Sequence, residues 1–377
     1  MKRWNTATSK DSLNIAIAGG GDAGPVYAGI AIAREIRRQV PAANILFIGP
    51  PQGVASEIVT QEGFSFETID IREAHHRNFG DRLKAFWRVP QAVYFALKIL
   101  RKFHPAVVLG TGGTVSIPVL YAAYLRHAPT LMLEARRQPS LASRLLSRSV
   151  DQIAICFAET RRFFPPKKVI LTGHPVRKEF YLIGATPPPD KGHKLNILVM
   201  AGNLAAHNLN YALIAALDYL QDARARLSFT HQTGPADFEY VRAGYEKRGF
   251  RAEVSQHIND LPKMYAKAHL VICRAGAATM AELTVSGRPA ILIPQEDQQQ
   301  EAEALALQED GIAKIIAQPQ LSGKTLAAEI LKILTHPEEL AQVWPNTKRF
   351  RANDATAQLA AACLQLATGK GVDDFTL

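Results

Sequence analysis

Short apolar runs alternate along this chain with stretches whose apolar positions recur every three to four residues, the signature of strands alternating with helices. Leu13 to Ala18 predicts a buried first strand, Gly19 to Pro25 a glycine-rich loop, Val26 to Gln39 a helix and Ile45 to Gly49 the next strand. The plan continues with a helix near Ser56 to Glu62, a strand Phe66 to Ile71, a long helix Asp81 to Phe103, and strands Ala106 to Leu109 and Thr130 to Leu133. It restarts at Asn196 to Met200, with a helix to about Leu220, a strand Arg226 to Thr230, a helix to Arg248, a strand near Ala252 to Val254 and a helix through Met264 and Tyr265. A strand His269 to Cys273, a helix from about Ala277 and a second apolar strand after Gly287-Arg288-Pro289 follow, and a last helix covers Asp354 to Ala367. Strands alternating with helices in two series imply two Rossmann-like α/β domains, each built on a parallel sheet.

The run Thr186 to Gly192, stiffened by three consecutive prolines, is the linker by composition. We therefore expect an N-terminal domain over 12–184, a C-terminal domain over 190–350, and a helix and tail over 351–377. A formal net charge of +10 points to an anionic partner: nucleic acid, acidic lipid headgroups or a phosphorylated substrate. No nucleic-acid-binding module stands among the basic residues, so nucleic acid is not the expected partner. The three cysteines, Cys156, Cys273 and Cys363, are too far apart in sequence to suggest a disulfide framework or a zinc site. The polar start, Met1 to Thr6, lacks the apolar core of a signal peptide, and no stretch approaches the roughly 20 apolar residues a membrane span needs. A cytoplasmic protein is expected. Its helix 81–103 intersperses Arg82, Lys84, Arg88, Lys98, Arg101 and Lys102 with Leu83, Phe86, Trp87, Val89, Tyr94 and Phe95, a pattern suited either to an anionic membrane surface or to a core face with a solvated back.

The most informative stretch is Val271 to Pro294. A strand, the small-residue turn Arg274-Ala275-Gly276 and a helix opening at Ala277 set Arg274, Gly276 and the first helical N–H groups at the carboxyl end of a parallel sheet, where anionic ligands settle. Glu282, one to two turns into that helix, can face the same crevice and accept from sugar hydroxyls. The alternative is that Gly276 merely closes a turn and Glu282 is solvated. Of the other glycine-rich segments, Gly19 to Pro25 is a poor phosphate site, because Asp22 adds negative charge and Pro25 lacks an N–H. Gly110 to Ser116 opens a helix and its amides can cradle a pyrophosphate. Glu134 ends a strand, where it is either an acid or base or a structural partner of Arg136 or Arg137.

Arg274-Ala275-Gly276-Ala277 with Thr279 and Glu282, then Gly287-Arg288-Pro289 and Pro294, resembles the donor-binding segment of the MurG family, GT-B glycosyltransferases of family 28. Gly112 and Gly113, and Gly173 to Arg177, extend the likeness from about Leu13 to Ala367. The resemblance implies a GT-B fold, two Rossmann-like domains separated by an interdomain cleft, and inverting transfer of N-acetylglucosamine from UDP-N-acetylglucosamine to the undecaprenyl-pyrophosphoryl acceptor lipid I. It implies no cofactor and no metal, and a peripheral position on the inner face of the cell membrane. Donor contacts would come from Arg177, Asn203, Ile258, Arg274, Ala278, Thr279, Glu282, Gln299 and Gln300, and acceptor contacts from Gly20, Gly21, Gly112, Gly113, Thr114, Ser116 and Arg136. Pro25 stands where the family has the histidine favoured as helper of acceptor deprotonation, which leaves Asp22 and Glu134 as the acids available for that task. Ala201 and Ala205 add methyl groups to the loop that the family keeps glycine-rich. Substitutions gathered in substrate loops leave two other readings open: a folded homologue without turnover that acts as a scaffold, and a transferase with another UDP-sugar or lipid acceptor.

Overall fold

The computed structural model describes residues 13–20, 23–51, 55–70, 79–184, 194–201, 207–295, 298–343, 345–347 and 354–369, with backbone alone at 23, 79–89, 298–299 and 341. The chain divides into two compact units, Met1–Arg177 with Asn353–Leu377, and Lys178–Ala352. The proline-rich run, and with it the linker expected at 186–192, lies outside the described residues.

The first unit holds a seven-stranded parallel sheet: β1 Asn14–Gly19, β2 Asn44–Gly49, β3 Ser65–Thr68, β4 Val107–Gly112, β5 Thr130–Glu134, β6 Gln152–Ile155 and β7 Val169–Leu171, in the order β3-β2-β1-β4-β5-β6-β7. Helices between the strands cover both faces, which is why the central strands are buried at nearly every position rather than at alternate ones. Ile15 and Ile17 face one apolar cluster, Ala16 and Ala18 the other. The direction of strand succession reverses between β1 and β4, and in such sheets ligands settle above the carboxyl ends at that point.

Several boundaries differ from the sequence reading. The first helix begins at Ala23 rather than Val26, because a proline in the first helical turn costs no hydrogen bond. β4 continues to Gly112 instead of stopping at Leu109; a side chain on Gly110 would meet Leu120 Cδ1 at 2.5 Å, so glycine is what lets the strand pass under the following helix. β3 ends at Thr68, with only Ile69 N–H still bonding back to Gly49 O (2.9 Å). The last helix, Ala355–Thr368, packs on the first helix, Ala23–Gln39, burying Leu359, Ala360, Cys363 and Leu364. Thr356 anchors it, its hydroxyl donating to Val176 O (2.8 Å) and accepting from Val176 N–H (3.0 Å).

The second unit repeats the plan with six parallel strands: β8 Leu195–Met200, β9 Leu227–Gln232, β10 Arg251–Ser255, β11 Leu270–Cys273, β12 Ala290–Leu292 and β13 Ala313–Ile315, ordered β10-β9-β8-β11-β12-β13. Its reversal falls between β8 and β11. The chain therefore carries two crevices of the nucleotide-binding kind, one at β1/β4 and one at β8/β11.

Candidate functional site

In the second unit, β11 delivers the chain to the reversal point and the turn Arg274 to Gly276 feeds the helix Ala277–Ser286. Gly276 N–H donates to Arg274 O (3.0 Å), and Gly276 O accepts the Met280 N–H (2.9 Å), so the turn is closed by its own backbone. Gly276 has an ordinary φ of −84°, and a Cβ there would meet nothing nearer than Thr279 Oγ1 at 3.9 Å. The protein itself therefore has no need of glycine at this position. Arg274, Ala278 and Thr279 are half-buried around the helix N-terminus, whose unsatisfied N–H groups and dipole favour an anion.

Glu282 is buried rather than solvated, only 8% exposed on the same helix as the core-facing Met280 and Leu283. Burial first, and the Glu282 charge second, push the Cys273 thiol far up, placing carboxylate and thiol in one electrostatic environment and keeping Cys273 unreactive. Gly287, left-handed at φ +65°, ends the helix. Arg288 then folds inward, its Nε donating to Tyr265 O (2.8 Å) and its Nη2 to Gly184 O (3.1 Å) and Ala266 O (3.3 Å). These bonds fix the helix and the strand after it against the helix Leu261–Lys267, so Glu282 sits on a rigid element.

Ile258 follows β10, buried at 9% exposure, its N–H held by the Gln232 side-chain oxygen (2.9 Å). Gln300 donates through Nε2 to Gln295 Oε1 (3.0 Å) and accepts from Gln295 N–H (3.2 Å), so its amide is engaged locally at the start of the helix Gln298–Glu309. Asn203 and the side chain of Gln299 lie outside the described residues. Arg177 belongs to the first unit, buried with its guanidinium 4.4 Å from the centre of the Tyr27 ring.

Sequence reasoning passed over a buried polar network beside β9 in the same unit. His231 on β9, fully buried, meets Asn210 Oδ1 (2.9 Å) and the Tyr245 hydroxyl (3.2 Å). Asn210 donates to Asp237 Oδ2 (2.6 Å) and Thr233 O (3.1 Å), and Asp237 Oδ1 takes His207 Nδ1 at 2.7 Å. Burial drives the His231 pKa down to about 3, so its imidazole is neutral and serves as a donor–acceptor bridge. Asparagine and histidine in otherwise apolar elements were the available signal.

In the first unit the two glycine-rich segments touch. Gly20 (φ +134°) and Gly113 (φ +82°) approach so closely that a Cβ on Gly113 would lie 1.9 Å from Gly20 O. Thr111 Oγ1 donates to Pro25 O (2.9 Å), adding a second tie. Ser116 Oγ accepts the Gly112 N–H (3.1 Å) and stands 2.7 Å from both Ala18 O and Gly112 O. The Ser116 hydroxyl and the Gly112 amide are thus spent inside the protein, while Gly113 and Thr114 remain exposed at the crevice rim. Gly21 and Asp22 lie outside the described residues.

Glu134 ends β5, beside β4, and is buried. Burial raises its pKa; a hydrogen bond from Ser143, the Arg136 N–H (3.2 Å from Oε1) and the Arg136 charge act against that rise. Arg137 pairs instead with Glu159 (3.5 Å), and the Arg136 side chain is exposed. No group of three or more metal-ligating side chains occurs among the described residues.

Two Rossmann-like units with these sheet orders and paired glycine-lined crevices define a GT-B glycosyltransferase fold. The glycosyltransferase family 28 N-terminal domain matches residues 15–155 and its C-terminal domain residues 196–359. UDP-N-acetylglucosamine–N-acetylmuramyl-(pentapeptide) pyrophosphoryl-undecaprenol N-acetylglucosamine transferases from Myxococcus xanthus and an Anaeromyxobacter species are 37% and 38% identical, each over 94% of this chain and 93% of the relative. Among solved structures, Acinetobacter baumannii MurG superposes with a TM-score of 0.69 at 24% identity, covering 94% of this chain and 99% of that one. The UDP-GlcNAc 2-epimerase of Neisseria meningitidis, solved with UDP-GlcNAc, shares the fold at a TM-score of 0.64 and 14% identity, over 93% and 99% of the two chains. The chain belongs to glycosyltransferase family 28 and, within it, to the MurG group.

Proposed function

We propose that the protein transfers N-acetylglucosamine from UDP-N-acetylglucosamine to an N-acetylmuramyl-(pentapeptide) pyrophosphoryl-undecaprenol acceptor, the reaction in the names of its relatives. The observation that carries this reading beyond the family match is the pairing of buried Glu282 with the open Gly276 turn on one short helix. The unfilled space at Gly276 and the amides of Ala277 to Thr279 suit a diphosphate, and the carboxylate of Glu282 suits the vicinal hydroxyls of a ribose. Arg274 adds positive charge there and Ile258 packs on the base; Asn203, Gln299 and Gln300 are assigned to the diphosphate and the sugar by the family resemblance alone, Gln300 exchanging its bonds to Gln295 for that role. In the direct displacement the acceptor hydroxyl oxygen bonds to the anomeric carbon as the bond to the UDP oxygen breaks. Charge developing on the departing diphosphate is met by preorganised amides and Arg274.

The acceptor enters at the β1/β4 crevice, where Gly113 and Thr114 are exposed beside Gly20 and Arg136 offers a cation; Gly21 is assigned to it by the family resemblance alone. Glu134 takes the hydroxyl proton: its burial makes the carboxylate a stronger base than an exposed one. Asp22 is the other acid proposed for this step.

The acceptor is a lipid, and the helix Phe79–Phe103 supplies a surface for its membrane. Tyr94 (65% exposed) and Phe95 (42%) project from its described part beside exposed Lys98, Arg101 and Lys102, and the adjoining helix Ser116–Leu125 exposes Tyr121 and Tyr124. No described helix is long and apolar enough to cross a membrane. Aromatic rings with basic neighbours gain about 1 kcal/mol per cation at an anionic headgroup layer. The decisive experiment is calorimetric titration with UDP and UDP-N-acetylglucosamine, followed by transfer of labelled sugar to a soluble acceptor analogue. Saturable binding with transfer is expected, and no binding of either nucleotide overturns the proposal. Salt-sensitive flotation with anionic, but not neutral, liposomes is expected in parallel.

A further inference from the structure

We infer that Gln232 is a positioning residue of the nucleotide-sugar site, registering the segment that packs on the base against the end of β8; this rests on the donor site proposed above. Gln232 is the last residue of β9, between β8 and β10, and the segments leaving those two strands are both tied to it. Its backbone carbonyl accepts the N–H of Ala201, the first residue beyond β8 (2.8 Å). Its side-chain oxygen accepts the N–H of Ile258, three residues beyond β10 (2.9 Å).

The chain around Gln232 leaves little freedom to replace these bonds. Beyond the strand ends, Thr233 N–H donates to Ser255 O (3.0 Å) and Gly234 N–H to Gln256 O (3.1 Å), so β9 and β10 stay zipped until just before Ile258. There the ladder stops, and the Gln232 side chain supplies the acceptor that the backbone no longer provides. A strand-end carbonyl would hold residue 258 next to the sheet; a glutamine side chain holds it one side-chain length above the sheet, on the carboxyl side where ligands bind. Accepting from Ile258 N–H also fixes which way the amide lies, with oxygen toward the loop and NH2 away from it. Without that oxygen, a half-buried N–H loses its partner and the loop is free to settle elsewhere.

The test compares three variants with the wild type after melting curves establish that each is folded. Q232L removes the acceptor at nearly constant volume and is expected to raise the donor KM and the UDP dissociation constant about tenfold, with kcat within about threefold. Q232E keeps an oxygen at the same reach and is expected to restore both constants to within about threefold of wild type. Q232N keeps the amide but shortens its reach by a methylene; it should behave as Q232L and replaces it if Q232L does not fold. Wild-type binding of UDP with unchanged constants in Q232L and Q232N overturns the role of Gln232, as does equal impairment of Q232L and Q232E. Absence of UDP binding by the wild type instead removes the donor-site reading on which the inference rests.

Discussion

Replacing Gly113 by alanine should injure the protein far more than the same change at Gly63, and the difference measures how tightly the two glycine-rich segments are locked. Both glycines have left-handed backbone, φ +82° and +74°. At Gly63 a new Cβ meets nothing within 4 Å, so Gly63→Ala carries only the conformational penalty, about 1–2 kcal/mol. At Gly113 the same methyl would stand 1.9 Å from Gly20 O and 3.0 Å from Gly20 C, against main chain that cannot rotate aside. Forcing apart a packed contact adds about 1–3 kcal/mol, so Gly113→Ala should lose about 2–5 kcal/mol in all. That is a large share of the roughly 5–15 kcal/mol that holds a typical domain together. Differential scanning calorimetry with and without UDP separates the units, because the ligand should raise the transition of the second unit alone. The first unit's transition should fall by a few degrees in Gly63→Ala and by roughly 4–20 °C in Gly113→Ala. Transfer assays on Gly113→Ala below its transition should show a raised acceptor KM and an unchanged donor KM. Equal shifts for the two variants would refute the interlock, and a loss confined to donor binding would refute the assignment of this crevice to the acceptor.

Glu282→Gln should weaken UDP by about 10- to 100-fold, the loss of a charged acceptor for ribose hydroxyls, while pyrophosphate binding stays unchanged; calorimetry with both ligands checks it. Glu134 has a raised folded pKa, so its burial is least costly below the ordinary carboxylic range and stability is lost as pH rises through the folded value. Glu134→Gln should therefore melt higher than wild type at pH 8, with the gap closing toward pH 4, and should depress kcat; a gap that widens in acid would contradict the burial argument. His231 runs the other way. With its folded pKa near 3 against an ordinary 6.5, the stability it confers is complete above about pH 6.5 and falls by about 1.4 kcal/mol per pH unit toward pH 3, a slope that His231→Gln should remove from denaturant titrations.

Much of this architecture is legible in the sequence because parallel strands buried on both faces leave unbroken apolar runs such as Ile15 to Ala18 and Leu270 to Cys273. Boundaries failed where glycine and proline are read locally. Gly110 to Gly112 looks like a turn but is strand, since only the packing of Leu120 and Ser116 overhead explains why side chains are missing there. Pro25 looks like a helix stop but lies in a first turn. At the second-unit site, the turn Arg274 to Gly276 and the helical position of Glu282 follow from spacing, yet the burial of Glu282 does not, because a lone glutamate on a helix is usually solvated. Ser116 shows the converse: a serine in a glycine-rich turn reads as a ligand group, whereas its hydroxyl bonds across to β1 through contacts 98 residues apart. Gln232 and Asn210 were hard to read for the same reason, since their partners lie more than 20 residues away in sequence, although an asparagine in an apolar helix was itself a signal.

The helix Ala355–Thr368 closes the flank of the first unit, though the whole second unit is encoded before it. During synthesis Leu359, Ala360, Cys363 and Leu364 are not available to the nascent N-terminal half until roughly 190 residues after Arg177 have been added, on the order of 10–40 s at ordinary elongation rates. For that interval the side of the helix Ala23–Gln39 that they later cover has no mate. A segment made only after the second unit thus completes the first, and a premature stop near residue 350 would leave an unfinished N-terminal unit and a finished C-terminal one.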